Sequence, residues 1–277
     1  MRPAELRLGD LAIEGWSLAG DETWFRIHPP GLAFDTGRGA TQLAGARDVF
    51  LSHGHLDHAL GLPYVLSQRS LHQNAGTRVF CPAEIAEPLA ALAAAAERLE
   101  RARYRFEIVP LAAGARVEVG RDLEVEAFAT DHVVPSLGYH LVRRKRRLAA
   151  GLAGLSGHEL VALRERGVAT AEVVEELWLS YCGDTGPRVF ELAPALFRSR
   201  ILMLECTFLG EAQRGGGDRY KHLHIEDIER QAERFENDAI VLHHLSRRHR
   251  PEELRAEIER RLPALAPRIH LLLRGAP

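Results

Sequence analysis

The stretch Val49-Phe50-Leu51-Ser52-His53-Gly54-His55-Leu56-Asp57-His58 decides how the rest of the chain reads. Val49 to Leu51 is a short apolar run, which predicts a buried strand. Three imidazoles and one carboxylate follow between His53 and His58. Burying so many polar groups is costly unless each finds a partner. On a tight loop at a strand end they can converge on metal instead. Zinc takes imidazole nitrogen and carboxylate oxygen, and a catalytic site keeps one position open. His53 and His55 can face one ion, while Asp57 and His58, continuing into a helix, face a second. A lone histidine would read as a satisfied core or surface residue. Four ligand-type side chains at this spacing argue against that.

More ligands are needed, and three other strand ends supply candidates. His132 closes Phe128-Ala129-Thr130-Asp131-His132, Asp184 sits in Cys182-Gly183-Asp184-Thr185, and His244 sits in Leu242-His243-His244-Leu245-Ser246. Loops along one rim of a sheet bring distant segments together. Singly, each has a plainer alternative: Asp184 as a turn residue, His132 and His244 as surface histidines. His28, His72, His140, His158 and His270 are isolated and read as non-functional. His243 should point away from its neighbour if the strand pleat continues.

Composition sets the frame. The 277 residues carry 36 Lys+Arg and 38 Asp+Glu, and 46% are hydrophobic. Enough apolar surface is available to offset chain entropy, which excludes intrinsic disorder. The length fits one large domain or two small ones. The first twenty residues include Arg2, Glu5, Arg7, Asp10 and Glu14 and no apolar leader-like run, so secretion is not expected. The longest purely apolar run, Leu89 to Ala96, is too short to span a bilayer, and no membrane partner is expected. Cys81, Cys182 and Cys206 are odd in number and scattered, which implies no disulfide framework and a cytoplasmic location. The basic residues are nearly all Arg, with Lys only at 145 and 221. Arg suits phosphate recognition, although a GC-rich codon bias explains it more plainly.

Strands are predicted at Leu11 to Ser17, Trp24 to Ile27, Leu32 to Phe34, Glu107 to Val109, Arg116 to Val119, Leu123 to Ala129 and Tyr139 to Val142. More follow at Leu177 to Cys182, Ile201 to Cys206, Ala239 to Leu242 and His270 to Leu273. Ile85, Leu89, Leu92, Ala96 and Leu99 share one helical face. Ser156 and Glu159 have capping-box spacing before a further helix, with Gly167 as its stop. Ile225, Ile228, Ala232 and Phe235 define a helix, and Glu252 to Leu262 another. Gly215-Gly216-Gly217 reads as a loop. Strand-rich stretches divided by single helices occur twice over. That order fits an α/β fold with helices outside two facing sheets.

His53-x-His55-x-Asp57-His58, with His132, Gly183-Asp184-Thr185 and His244, resembles the dinuclear-zinc metallo-β-lactamase superfamily. Within it, the chain is most similar to the ribonuclease Z family of tRNA 3′-processing endonucleases. Phe34-Asp35-Thr36-Gly37, Gly61-Leu62-Pro63 and Phe128-x-x-x-His132-x-x-x-Ser136-x-Gly138-Tyr139 carry that narrower likeness. So do Glu205-Cys206-Thr207-Phe208 followed by His222, and His244-Leu245-Ser246-x-Arg248. The length and Gly154-Leu155-Ser156-Gly157 resemble the short-form members. Arg38, Leu245 and His249 depart from the family pattern, where an acid, a Phe and a Tyr are common. None removes a ligand.

The resemblance implies a single-domain, four-layer αββα sandwich over 1–277. It implies two zinc ions, although a His/Asp set also accepts manganese or iron. One zinc would be held by His53, His55 and His132, the other by Asp57, His58 and His244, with Asp184 bridging. Asp35 would brace the metal loop without touching metal; a plain strand-end turn is its alternative. Two such ions about 3.5–4 Å apart activate water and clamp the oxygens of a phosphodiester. Asp57 would also orient the nucleophile. Glu205 and His222 would form an acid–base pair at the leaving oxygen, with His224 the rival histidine. The substrate implied is precursor tRNA, and the assembly a homodimer.

RNA needs a grip beyond the metals. Arg143-Arg144-Lys145-Arg146-Arg147, five consecutive positive charges after a strand, is the expected RNA-binding run within a 143–176 segment. A solvated basic loop is the alternative. Arg247, Arg248 and Arg250 form a second, weaker candidate. The rival function is a phosphodiesterase of the same fold acting on a small substrate such as a cyclic nucleotide. A catalytically dead RNA-binding scaffold is a third, which the intact ligand set opposes.

Overall fold

Strand β2 (Leu11–Leu18) alternates strictly between buried and half-buried positions, as a strand with one face on a core must. It belongs to one of two seven-stranded sheets in the computed structural model, which describes residues 3–210 and 219–272. The glycine run at 215–217 and Leu273 lie outside the described residues.

The first sheet runs in chain order: β1 (Ala4–Leu8), β2, β3 (Glu22–His28), β4 (Leu32–Phe34), β5 (Asp48–Phe50), β6 (Thr77–Pro82) and β7 (Phe106–Leu111). Pairing is antiparallel as far as β4 and parallel beyond it. The second sheet repeats the scheme: β8 (Arg116–Gly120), β9 (Leu123–Ala129), β10 (Leu137–Leu148), β11 (Ala171–Tyr181), β12 (Ile201–Glu205), β13 (Ala239–His243) and β14 (Ile269–Leu271). It is antiparallel as far as β11 and parallel beyond.

Three buried clusters define the layers. Ile13, Phe25, Phe34 and Phe50 of the first sheet meet Tyr139, Leu141, Tyr181 and Met203 of the second. Phe34 stacks on Tyr181 with ring centroids 4.7 Å apart. On the outer face of the first sheet lie α1 (Leu56–Ala59), α2 (Leu62–Leu71) and α3 (Ala86–Glu100), through Ala59, Leu62, Val65, Leu66, Leu89 and Ala93. Helix α4 (Gly157–Glu165) stands in the β10–β11 connection. On the outer face of the second sheet lie α5 (Val189–Leu192), α6 (Ile225–Glu229) and α7 (Pro251–Arg261). The order helix, sheet, sheet, helix is the expected αββα sandwich. No helix among the described residues is long and apolar enough to cross a membrane.

The α4 cap forms as read: Ser156 N donates to Glu159 Oε2 at 2.8 Å, and Gly167 ends the turn at φ +77. Three expectations need correction. The helix over 225–235 stops at Glu229 and resumes as a 3-10 turn at Ala232–Arg234, yet Ile225, Ile228 and Phe235 still reach the core. The Leu177 strand begins at Ala171, and β1, β6 and α2 carry no motif strong enough to have been read. The third correction concerns the basic run. Arg143 to Arg147 is no loop: it continues β10, paired with β11 so that Arg143, Arg144 and Arg147 stand opposite Glu176, Glu175 and Glu172. Arg143 bonds Glu176 at 2.8 Å and Asp10 at 2.6 Å, and its guanidinium lies 3.9 Å from the Trp178 ring centroid. Lys145 meets Glu176 at 2.7 Å and Arg144 meets Glu124 at 3.2 Å. Arg146 and Arg147 are exposed.

The partners of Arg143 make it a structural residue. Arg143→Ala should lower unfolding free energy by about 1–2 kcal/mol. Arg146→Ala and Arg147→Ala should leave the urea midpoint where it is. Equal midpoints for all three variants would show that the ribbon does not depend on the Arg143 contacts.

Candidate metal centre

The ends of β4, β5, β11, β12 and β13, with the loop after β9, deliver the ligand-type side chains to one rim. Asp35 follows β4 with a left-handed backbone, φ +54, and is fully buried. Its carboxylate accepts from Ser52 N at 2.7 Å, Ser52 Oγ at 2.8 Å, His58 Nδ1 at 2.8 Å and Tyr181 OH at 2.5 Å. The carboxylate thus ties the metal loop to both sheets. Backbone contacts add to this: Thr36 N and Gly37 N donate to the His58 carbonyl. A Cβ on Gly61 would come within 2.1 Å of Gly39 N, so only glycine lets these two loops touch.

His53, His55, His132 and Asp184 bring ligand atoms within 4.8 Å of one another, and so do Asp57, His58 and His244. Asp184 Oδ2 lies between the groups, 3.3 Å from His58 Nε2, 3.4 Å from His244 Nε2 and 3.7 Å from His53 Nε2. Asp57 Oδ2 is 3.7 Å from His244 Nε2.

The outer nitrogens assign the tautomers. His53 Nδ1 bonds Ser52 Oγ, whose own proton goes to Asp35, and His58 Nδ1 bonds Asp35. His132 Nδ1 bonds the Lys221 carbonyl at 3.2 Å, and His244 Nδ1 bonds Thr207 Oγ1 at 2.9 Å. Each of these rings spends its Nδ1 proton outward, which leaves Nε2 facing inward as a lone pair. His55 Nδ1 faces the same space, 3.0 Å from His53 Nε2 and 3.2 Å from His132 Nε2. His58 Nε2, His244 Nε2 and Asp184 Oδ1 are buried and find no hydrogen-bond partner among the described residues. Orphaned acceptors of this kind are costly. Imidazole and carboxylate donors fit a pair of divalent transition metals.

Charge follows the same geometry. Burial, with His58 nearby, holds His53 well below the usual imidazole range. Burial also lowers His55 and His132. For His58 burial works downward, but Asp184 and Asp35 outweigh it and hold the ring well above its ordinary value. For Asp184 burial works upward, and His244 and His58 outweigh that and keep it well below the carboxylate range.

Next to the cluster, His222 Nδ1 bonds Glu205 Oε1 at 2.8 Å. Its ring lies 5.3 Å from that of His132 and 5.2 Å from that of His244. Burial lowers the His222 pKa, but Glu205 more than offsets it and pushes the value up to about 9. Thr185 N and Thr207 N fix the buried Glu205 carboxylate at 3.1 and 3.0 Å. His224 is occupied elsewhere, accepting from Glu226 N at the start of α6 and bonding the Gly210 carbonyl. His243 faces the core between Tyr181 and Phe25, and burial pushes its pKa down to about 3. His28, His72, His140, His158 and His270 join none of the clusters. Arg247, Arg248 and Arg250 are exposed on the loop after β13.

Ser17, Ser52, Tyr181 and Thr207 were not singled out in the sequence as supports of the site. Ser17 Oγ accepts from His244 N at 2.9 Å, and Thr207 Oγ1 joins His244 to Glu205 Oε2. Only the adjacency of Ser52 and Thr207 to motif residues gave a signal.

Residues 26–245 match the family model described as a beta-lactamase superfamily domain. The chain is 32% identical over 266 residues to tRNase Z TRZ1 of Arabidopsis thaliana, covering 95% of both chains. It is 32% identical over 257 residues to ribonuclease Z of Thermobifida fusca, covering 80% of this chain and 77% of that one. The chain belongs to the ribonuclease Z family of the beta-lactamase superfamily. Family membership makes it a hydrolase. Among solved structures it is similar to the metallo-β-lactamase fold protein YhfI of Bacillus subtilis, with TM-score 0.63, 13% identity and coverage of 94% and 95%. The short form of human tRNase Z gives TM-score 0.56 and 17% identity, covering 100% of this chain and 95% of that one. These two show the shared fold.

If Asp35 braces the centre, Asp35→Asn should destabilise the chain by about 2–4 kcal/mol. It should also weaken divalent-metal affinity by about 10–100-fold. Urea denaturation and chelator competition on the purified variant measure both. Unchanged metal affinity would remove the bracing role.

Proposed function

We propose that the chain is a tRNA 3′-end-processing endoribonuclease that holds two divalent cations, zinc by preference, in its His/Asp centre. The observation that carries this reading is the Glu205–His222 pair beside the cluster, with its 2.8 Å bond and a ring against His132 and His244. The chain's similarity along 95% of a plant tRNase Z supports the choice of substrate.

One cation would be held by His53, His55 and His132 and the other by Asp57, His58 and His244, with Asp184 common to both. Bound there, the pair supplies Lewis acidity at a phosphodiester and a lowered pKa for water. Asp57, half-buried, orients the attacking water through its carboxylate. Glu205 fixes the Nδ1 proton of His222 and so presents Nε2 to the leaving oxygen, where the ring donates a proton as the P–O bond breaks. The cut falls after the discriminator base and leaves a 3′-hydroxyl on the tRNA. Arg146 and Arg147, exposed on the β10–β11 ribbon, supply phosphate contacts within the 143–176 segment. The paired charges of Arg143, Arg144 and Lys145 contribute less than the sequence expectation gave them. The reading extends to a homodimer and to a cytoplasmic location, where the three buried free cysteines stay reduced.

Incubation with a 3′-extended precursor tRNA and with a small phosphodiester, followed by end mapping, tests the substrate. Cleavage at the discriminator base is expected. Turnover of the small diester alone would favour the rival phosphodiesterase. Asp57→Ala should abolish cleavage with the fold intact, and His222→Asn should lower kcat by about 10²–10⁴-fold. Wild-type rates in either variant would contradict its role. Replacing both Arg146 and Arg147 by Ala should reduce the salt dependence of tRNA binding by about one to two units of slope. An unchanged slope would remove the ribbon from the RNA interface.

A further inference from the structure

We propose that Lys221 is a positioning residue for the metal centre: its left-handed backbone aims a carbonyl at His132, and its ammonium ties that conformation to Asp131. This inference rests on the two-cation reading above. Six non-glycine residues among those described have positive φ, and three of them, Asp35, Lys221 and His244, belong to this site. Lys221, at φ +56, is the only one of the three with no acceptor or ligand in its own side chain. A long side chain in this region is strained, and such strain persists only where surrounding contacts over-determine it.

Those contacts are specific. Lys221 O accepts from His132 Nδ1 at 3.2 Å, the bond that leaves His132 Nε2 free to face His55. A ligating histidine needs such an outward acceptor to hold its tautomer and ring plane. Lys221 Nζ lies 3.7 Å from Asp131 Oδ1. Asp131 is itself a fixed post: its N–H donates to Thr185 Oγ1 at 3.0 Å, and its carbonyl accepts from Gly186 N at 2.6 Å. Asp131 immediately precedes His132, and Lys221 immediately precedes His222. One left-handed residue therefore fixes a ligand of the metal cluster and carries the acid–base histidine beside it. An ordinary L-residue with φ near −65° would turn its carbonyl away from His132.

The test compares Lys221→Ala with Lys221→Gly. Alanine keeps the left-handed strain and loses the ammonium that offsets it; glycine loses the ammonium but adopts φ +56 without strain. Apparent Zn²⁺ affinity of the metal-stripped full chain is read by chelator competition, and the Co²⁺-loaded protein by its visible absorption. Lys221→Ala should bind Zn²⁺ about tenfold more weakly, with an altered Co²⁺ band. Lys221→Gly should stay within about threefold of wild type with an unaltered band, because glycine holds φ +56 without an ammonium to offset strain. Melting curves identify a variant that fails to fold, and the glycine variant then still decides the matter. Wild-type affinity in Lys221→Ala would overturn the proposal, as would Lys221→Gly binding as weakly as an unfolded or alanine variant. Wild-type protein that takes up no metal would instead overturn the two-cation reading itself.

Discussion

Asp184 is a buried carboxylate with the inward nitrogens of His53, His58 and His244 at 3.3–3.7 Å. The rest of the rim is organised around that concentration of donors. Charge so far from water needs a counter-charge. Asp184 and Asp35 hold the His58 ring well above its ordinary pKa, while burial holds its neighbour His53 well below. A pair of divalent cations would supply that counter-charge, facing the Nε2 atoms of His53, His58, His132 and His244, whose Nδ1 atoms bond outward.

That outward commitment is where the fold does its work. Ser52, Asp35, Lys221 and Thr207 each receive one imidazole proton. They come from four different stretches of chain, and the facing sheets hold them against one another. Asp35 alone joins the first sheet to Tyr181 across 146 residues of sequence, and Ser17 holds His244 across 227. The rings are therefore set before any ligand arrives, which lowers the ordering cost of binding.

The metal loop was legible because its ligand types are crowded into a few residues after a buried strand. His132, Asp184 and His244 were legible as strand-end residues, once two sheets were inferred from strand and helix order. The supports were not. Tyr181 reads as an ordinary strand residue, and nothing near Lys221 marks its carbonyl as an acceptor, since these bonds close only when distant segments meet. The end of β10 was placed too early for a related reason. The charge of the basic run is visible in sequence, but the register that sets Glu176, Glu175 and Glu172 opposite is a property of the β10–β11 pairing. Local composition shows how much charge a segment carries, and partner strands decide how much remains for a ligand.

Anomalous scattering at the zinc edge from crystals of the zinc-equilibrated chain would locate the cations directly. Two peaks are expected, one among His53, His55 and His132 and one among Asp57, His58 and His244, with Asp184 touching both. A single peak, or zinc bound away from Asp184, would contradict the account of this rim.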